Sequence, residues 1–508
     1  MRVITATELY NYLACPRRVA MDRFEDPSRR DPVSPFVQLL WERGSLFERD
    51  TINGLSLPFL DLSALQGDEK EAATRAAIER AEPLIYNGRL SDPELLGEPD
   101  LLRREGHGYV AIDIKSGAGE EGGDDDGAEP GKPKKRYGVQ LALYTDLIER
   151  AGIAAGRHAF IWDVHGEEVR YELDAPIRKD GTTLWDLYLE TRTAVRRLAD
   201  RETTVDPALG AACKQCVWRS ACRRVIDQAD DLTLLPDLGR AKRDALRPWV
   251  PNVHALAAAQ LGELLAPGGR KTLIKGIGPD TLAKLQTRAR LLVEPDARPQ
   301  LTEALPPLDG DPELFFDIET DPLRGRCYLH GIVVRDHRQA QTERFVPFFA
   351  DGVTDEAERT AFATAIAFFR AHAAGLVVHY SPYERTEYRR LQRKYPEVCT
   401  GEEIEALFAP GRAFDLYHDG VKRRSEWPTH DYSVKTLAKF LGFRWRDLDS
   451  SGAASIEWFH RWVETRDPRI RQRLLDYNED DCRAMRVVLD AMRGMVVRRL
   501  AGAGERKS

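Results

Sequence analysis

Apolar residues recur along the chain in two periods, and the alternation between them sets the expected architecture. Tyr109 to Ile114 has strand composition, and Asp100-Leu101-Leu102 begins a partner strand, with Gly106 and Gly108 at the turn. A strongly apolar strand opens at Leu314-Phe315-Phe316-Asp317-Ile318, and another runs from Gly375 to Val378 before a helix opened by Glu384. Gln140-Leu141-Ala142-Leu143-Tyr144 reads as helix, with Gln140 and Tyr144 on one face. Asp476 to Cys482 reads as a later helix on which Tyr477 and Asp481 are adjacent. Strands and helices alternating in this way predict an α/β multidomain chain.

Changes in pattern place the boundaries. Residues 1–228 alternate strand and helix, interrupted by a Gly- and acid-rich stretch, Gly119 to Gly131, that reads as a mobile loop. Residues 229–300 turn helical with short Gly-punctuated turns, and 301–311, with Pro306-Pro307, read as a linker. Alternation resumes over 312–495, and 496–508 form a polar tail. A length of 508 residues agrees with about three units.

Composition narrows the function class. Hydrophobic residues at 42% and charged residues at 31% describe a globular protein. No run approaches the ~20 apolar residues of a membrane helix. Met1-Arg2-Val3-Ile4-Thr5 begins no secretory leader, so the expected location is the cytoplasm, with no membrane partner. A net charge of −7 argues weakly against a nucleic-acid partner, but a whole-chain sum hides local fields. The basic runs Lys132 to Arg136, Lys422 to Arg424 and Arg498 to Lys507 read as solvated faces.

Two sets of acids carry candidate chemistry. Asp113 and Lys115 are two apart on a strand and share a face, close to Asp100 on the hairpin partner. Carboxylates that hold Mg2+ or Mn2+ beside an ammonium that orients water suit phosphodiester hydrolysis. In the second set Asp317 and Glu319 share a strand face, Glu384 follows downstream, and Tyr477 and Asp481 close the series. Three acidic positions on separate elements suit a two-metal centre, with Tyr477 positioning the water. Asp415, in Ala413-Phe414-Asp415-Leu416, is the alternative to Glu384, and His379 and Tyr383 read as core residues.

Cys213, Cys216 and Cys222 crowd together, and Cys15 lies far upstream; such a set holds either zinc or an iron–sulfur cluster. Cys327, Cys399 and Cys482 are read as incidental. Lys275-Gly276-Ile277-Gly278-Pro279 has the glycine spacing of a helical hairpin turn, and Leu235-Pro236-Asp237-Leu238-Gly239 is a degenerate copy with Asp237 where glycine is preferred.

The first set resembles the RecB-type PD-(D/E)xK nucleases, whose core is matched by Pro99-Asp100 with Asp113-Ile114-Lys115. The resemblance implies a restriction-endonuclease-like fold, Glu48 as a further metal ligand, and Gln140 with Tyr144 as the motif after the lysine. One Cys before that core and three after it resembles the iron–sulfur RecB-like nucleases, including the AddB subunit of helicase-nucleases and the CRISPR-associated RecB-like exonucleases. That implies a structural [4Fe–4S] cluster on Cys15, Cys213, Cys216 and Cys222.

The second set resembles the DEDD exonucleases of the ribonuclease-H-like fold, in the variant with Tyr before the last Asp, which implies 3'-5' exonuclease chemistry. It departs from them in having Glu384 where Asp is usual. The connector resembles helix-hairpin-helix motifs, which implies phosphate contacts through Gly276 and Gly278. The whole resembles RecB-family nucleases with a C-terminal ribonuclease-H-like domain. What that implies is hydrolysis of DNA, more than RNA, in repair or in processing of foreign DNA. Two rivals stand: an RNA-directed exonuclease, and a non-catalytic clamp that partners a helicase. No Gly-x-x-x-x-Gly-Lys-Ser/Thr loop is present, so unwinding would come from a separate helicase.

Overall fold

The computed structural model describes residues 3–122, 131–337, 342–447 and 451–498. Residues 123–130 of the Gly- and acid-rich stretch and 499–508 of the tail lie outside the described residues. The chain divides into two compact units, Met1–Pro207 with Ala211–Cys222, and Ala208–Gly210 with Arg223–Ser508. The division falls inside the helix Arg219–Gln228.

The first unit opens on helices α1 (Ala6–Ala14) and α2 (Pro16–Phe24), followed by α3 (Pro35–Asn53). Thr5 and Glu8 form a reciprocal capping box that fixes the start of α1. A six-stranded sheet follows. It comprises β1 (Leu60–Asp61), β2 (Leu84–Tyr86), β3 (Leu101–Glu105), β4 (Gly108–Ile114), β5 (His158–Trp162) and β6 (Glu168–Glu172) in the order β6-β5-β4-β3-β2-β1. β3 and β4 form an antiparallel hairpin and β5 lies parallel to β4, so β4 is buried on both faces. Helix α4 (Lys135–Arg150) packs Val139, Leu141, Ala142 and Leu143 into the same core as Leu102 and Ala111. Gly97 lets it come close: a Cβ there would meet a Tyr144 ring carbon at 2.7 Å. Helix α5 (Leu184–Ala199) adds Leu184, Leu187 and Tyr188 to this core. The described flanks of the Gly-rich stretch pair as a short ribbon, Glu120–Glu121 against Lys132–Pro133.

The second unit begins with the helices α6 (Arg240–Leu246), α7 (Val253–Ala258) and α8 (Pro279–Val293), which share one apolar core. Its sheet comprises β7 (Glu313–Asp321), β8 (Arg326–Asp336), β9 (Thr342–Phe349), β10 (Leu376–His379) and β11 (Ala413–Asp415) in the order β9-β8-β7-β10-β11. The first three strands are antiparallel, and β10 and β11 run parallel with β7. Helices α9 (Asp355–Ala371), α10 (Tyr383–Lys394), α11 (Val434–Phe440), α12 (Gly452–Thr465) and α13 (Pro468–Arg493) surround it. Its two faces carry separate cores, one built with Tyr328, Phe459 and Met485, the other with Phe316, Phe362 and Tyr388.

The Pro-rich segment predicted as a linker is packed. Gln300–Leu301 pairs antiparallel with Ser425–Glu426, and Leu301, Leu305 and Leu308 join the core of the sheet. Main-chain pairing of this kind leaves no mark on composition, which is why a Pro-rich stretch reads as a tether.

Candidate active sites

In the first unit, the β3–β4 hairpin and α4 converge on Asp113, which is buried at the end of β4 opposite Ile161 of β5. Lys115 follows in the chain and sets its ammonium 2.8 Å from Asp113 Oδ2. Asp100 immediately precedes β3, and its Oδ2 accepts the backbone N–H of Ile114 at 2.6 Å. Burial, then the charges of Asp113 and Glu48, raise the Asp100 carboxyl well above the usual range, while Lys115 opposes them. Burial pulls Lys115 down, but Asp113 and Asp100 more than offset it and hold the ammonium above its ordinary value. Glu48, on α3, accepts a 2.9 Å hydrogen bond from the Tyr86 hydroxyl. On α4, Gln140 donates to the Tyr144 hydroxyl at 3.1 Å, and Tyr144 is raised by burial and then by Asp113 and Asp100. The structure therefore gathers Glu48, Asp100, Asp113, Lys115 and Tyr144 into one electrostatically linked group, with Gln140 joined through Tyr144.

The four cysteines Cys15, Cys213, Cys216 and Cys222 are all half-buried. Cys15 sits between α1 and α2, and Cys216 and Cys222 pack against Met21, Trp218 and Ala221. Burial pushes the Cys222 thiol up to about 11, with Arg17 pulling it down and Cys216, Cys15 and Cys213 pushing it further up. Cys216 and Cys222 thus each feel Cys15 and Cys213. Cys327, Cys399 and Cys482 are buried singly elsewhere.

In the second unit, one trio of potential metal ligands among the described residues has its ligand atoms within 4.8 Å of one another: Asp317, Glu319 and Asp481. Asp317 and Glu319 project from the same face of β7, and the register of β7 against β8 shifts just after Glu319. Such a bulge bends the strand and re-aims its side chains, and it recurs beside active sites. Asp481 comes from α13. Burial, then the neighbouring carboxylates of Glu319, Asp481 and Glu384, raise Asp317 well above the usual range. Burial and Asp481 push Glu319 up to about 8. Carboxylates this close repel one another, and a cation between them would relieve that repulsion, so the donor set fits one.

Glu384, on α10, is buried, and its Oε2 has no hydrogen-bond partner among the described residues. His379 Nδ1 stands 3.7 Å from it, beyond hydrogen-bonding reach, and is instead 2.6 Å from the Ser381 carbonyl oxygen. Asp415, the alternative acid, ends β11 and accepts the His418 N–H at 2.8 Å as the cap of the next turn. Tyr477 lies one turn before Asp481 and accepts a 2.9 Å hydrogen bond from Lys435 of α11. His379 is buried, in line with the reading as a core residue, but Tyr383 is not: it is 48% exposed, and its hydroxyl shares a 2.6 Å hydrogen bond with Thr320.

Four residues of these sites escape a reading of the sequence. Lys435 offsets the charge of Asp317, Glu319 and Asp481. Asn478 donates to Asp317 Oδ2 at 2.7 Å, Trp445 Nε1 donates to Asp481 Oδ1 at 2.6 Å, and Tyr86 holds Glu48. Asn478 stands next to Tyr477 in the acidic helix string and carried the only available signal.

The two connector turns match residue by residue. Leu235 and Ile274 accept from Leu238 and Ile277, Asp237 (φ 61°) and Gly276 (φ 77°) occupy the same left-handed position, and Gly239 and Gly278 cap α6 and α8. The strain at Asp237 is met by ion pairs to Lys422 at 2.5 Å and Arg288 at 3.2 Å.

Comparison with known proteins agrees with both geometries. Residues 55–223 match the model of the PD-(D/E)XK nuclease superfamily, a span that includes Asp100, Asp113, Lys115, Gln140 and Tyr144 but not Glu48 or Cys15. Residues 314–493 match that of the RNase H superfamily and include all five positions of the second set. No curated protein matches the chain. No helix among the described residues is long and apolar enough to cross a membrane. The chain joins a PD-(D/E)XK-like domain to an RNase H-like domain in one polypeptide, two nuclease superfamilies whose domains act on nucleic acids.

Proposed function

We propose that this chain is a metal-dependent DNA exonuclease with two active sites, acting in repair or in the processing of foreign DNA. The observation that carries it is the crowding of Asp317, Glu319 and Asp481 within 4.8 Å, with Glu384 near enough to raise Asp317 and its Oε2 without a hydrogen bond among the described residues. Divalent cations, Mg2+ or Mn2+, would be held there and by Glu48, Asp100 and Asp113, supplying Lewis acidity and a water of lowered pKa. Tyr477, pinned by Lys435, orients the attacking water in the second domain, with 3'-5' polarity. Lys115 orients it in the first and offsets charge that develops on the phosphate. Gly276 and Gly278 offer a phosphate the backbone N–H groups at the start of α8.

Cys15, Cys213, Cys216 and Cys222 fit a structural [4Fe–4S] cluster. One cysteine before the PD-(D/E)XK core and three after it is the arrangement that supports this reading, with zinc on the same four thiols as the alternative.

The test is hydrolysis of end-labelled single-stranded DNA and RNA by anaerobically purified protein, with Mn2+, with Mg2+ and with a chelator. Shortening of the DNA that needs the cation supports the reading. Cation-independent cleavage, or binding without cleavage in metal-loaded protein, contradicts it. A broad visible absorption band bleached by dithionite identifies the cluster, and its absence with bound zinc contradicts it.

A further inference from the structure

The basic run at Lys132 to Arg136, which reads as a solvated face in sequence, lines a groove. A cavity of about 470 Å³ lies elsewhere, in the second unit, but its cations Arg385, Arg423 and Arg424 are engaged by Glu405 and Glu303. The groove in the first unit, about 370 Å³, is different. Among the described residues four cationic side chains line it, Lys134, Lys135, Arg136 and Arg178, against one carboxylate, Glu121. Tyr10 and Tyr137 stand in it with their rings nearly parallel, 17° apart, and 6.1 Å between centroids. The Arg136 guanidinium lies 5.0 Å over the Tyr10 ring, and the Lys134 ammonium lies 5.2 Å over Tyr137. Lys134 is fixed in place by a 2.7 Å hydrogen bond to the Ala118 carbonyl.

The run of rings and charges does not stop there. Lys115 Nζ lies 5.8 Å from the Tyr137 ring on one side and 2.8 Å from Asp113 on the other. Tyr137, which lines the groove, is therefore also a neighbour of Lys115 in the Asp113 site. The first turn of α4, which begins at Lys135 with no side-chain cap, adds the positive end of its dipole. Aromatic faces interleaved with cations are the surface on which unpaired bases stack while phosphates are neutralised alongside. In a duplex those faces are already stacked and out of reach.

We infer that this groove binds a single polynucleotide strand, with bases on Tyr10 and Tyr137 and phosphates on Lys134, Lys135, Arg136 and Arg178, and leads it to Asp113 and Lys115. The direction of travel rests on the hydrolytic reading of that site, but the binding does not. Each tyrosine supplies a stacking face, and the cations make the affinity fall with salt.

The test uses the full chain in EDTA, so that binding is read without cleavage. Short strands carrying 5-iodouracil are offered as single-stranded DNA, single-stranded RNA and blunt duplex DNA, then photo-crosslinked and mapped by mass spectrometry. Crosslinks are expected on the peptides bearing Tyr10 and Tyr137, with a single strand and not with the duplex. A preference between DNA and RNA supports the groove and names its source. Tyr10→Ala with Tyr137→Ala should weaken single-strand binding at least about tenfold. Lys135→Glu with Arg136→Glu changes only exposed positions and should weaken it as much, with a shallower salt dependence. Crosslinks absent from both peptides, parental affinity in folded samples of either double variant, or equal crosslinking by the duplex would overturn the inference. If Asp113→Ala leaves the crosslinks intact while the parent cuts nothing, the hydrolytic reading fails and the groove stands.

Discussion

Asn478 holds Asp317 in place: its amide nitrogen donates to Asp317 Oδ2 across 2.7 Å, from a helix position without solvent exposure. The room for it comes from Gly331, which faces Asp317 in the β7–β8 register; a Cβ there would lie 1.5 Å from Asn478 Oδ1. Gly331→Ala should therefore displace Asn478. A shift of ~1 Å at a catalytic group costs on the order of a hundredfold in rate. The overpacking itself should cost about 1–3 kcal/mol. Asn478→Ala should lose comparable rate with less effect on stability, read as cleavage rate against urea midpoint. A Gly331→Ala protein with parental cleavage would contradict this.

Lys435 and Tyr477 act as a pair. A hydrogen bond with one charged partner contributes about 1.5–3 kcal/mol, so Lys435→Met and Tyr477→Phe should each slow cleavage by the second domain roughly tenfold to a hundredfold. Because Lys435 works through the Tyr477 hydroxyl, the double variant should be little slower than either single one. Multiplicative losses would show two independent roles.

Arg288 and Glu426 are 3% and 1% exposed and 2.7 Å apart, in a connection between the helical connector and the RNase H-like domain. Removing one partner of such a buried pair costs about 3–5 kcal/mol. Glu426→Ala should lower the urea midpoint accordingly, while Arg288→Met with Glu426→Leu should recover most of it. Equal loss in the single and double variants would contradict the assignment.

Acid should destabilise the second unit in two stages. Burial pulls His330 from 6.5 to about 3, so it stays neutral in the fold while the unfolded chain takes up a proton. Stability therefore begins to fall as pH drops below about 6.5. Burial alone would raise Glu358, but Lys394, the Cys327 amide, Arg390 and Tyr395 hold it at about 2 against 4.5 unfolded. Its contribution, on the order of 3 kcal/mol, is complete above pH 4.5 and lost as pH falls towards 2. Urea titrations from pH 7 to low pH should show both slopes, and Glu358→Gln should flatten only the lower one. An unchanged lower slope would contradict this account.

The α/β multidomain architecture was legible because its strands are short apolar runs bounded by turns, and their acids fall two apart on one face. Asp113 with Lys115 and Asp317 with Glu319 are visible for that reason. Lys435, Asn478, Trp445 and Tyr86 are not, because their roles arise where separate elements meet, and a lone polar residue on a helix reads as solvent-facing. Asp237 carries the same lesson: glycine is the residue its backbone favours, and the ion pairs to Lys422 and Arg288 that sustain it come from distant segments.

The central claim is that two separate carboxylate sites each hydrolyse phosphodiesters. The most direct measurement compares Mn2+-dependent degradation of end-labelled single-stranded DNA by the parent protein, Asp113→Ala, Asp317→Ala and the double variant. Each single change should remove one part of the product pattern, and the double change should remove all cleavage. Full cleavage by the double variant, or no cleavage by a metal-loaded parent that binds the strand, would contradict it.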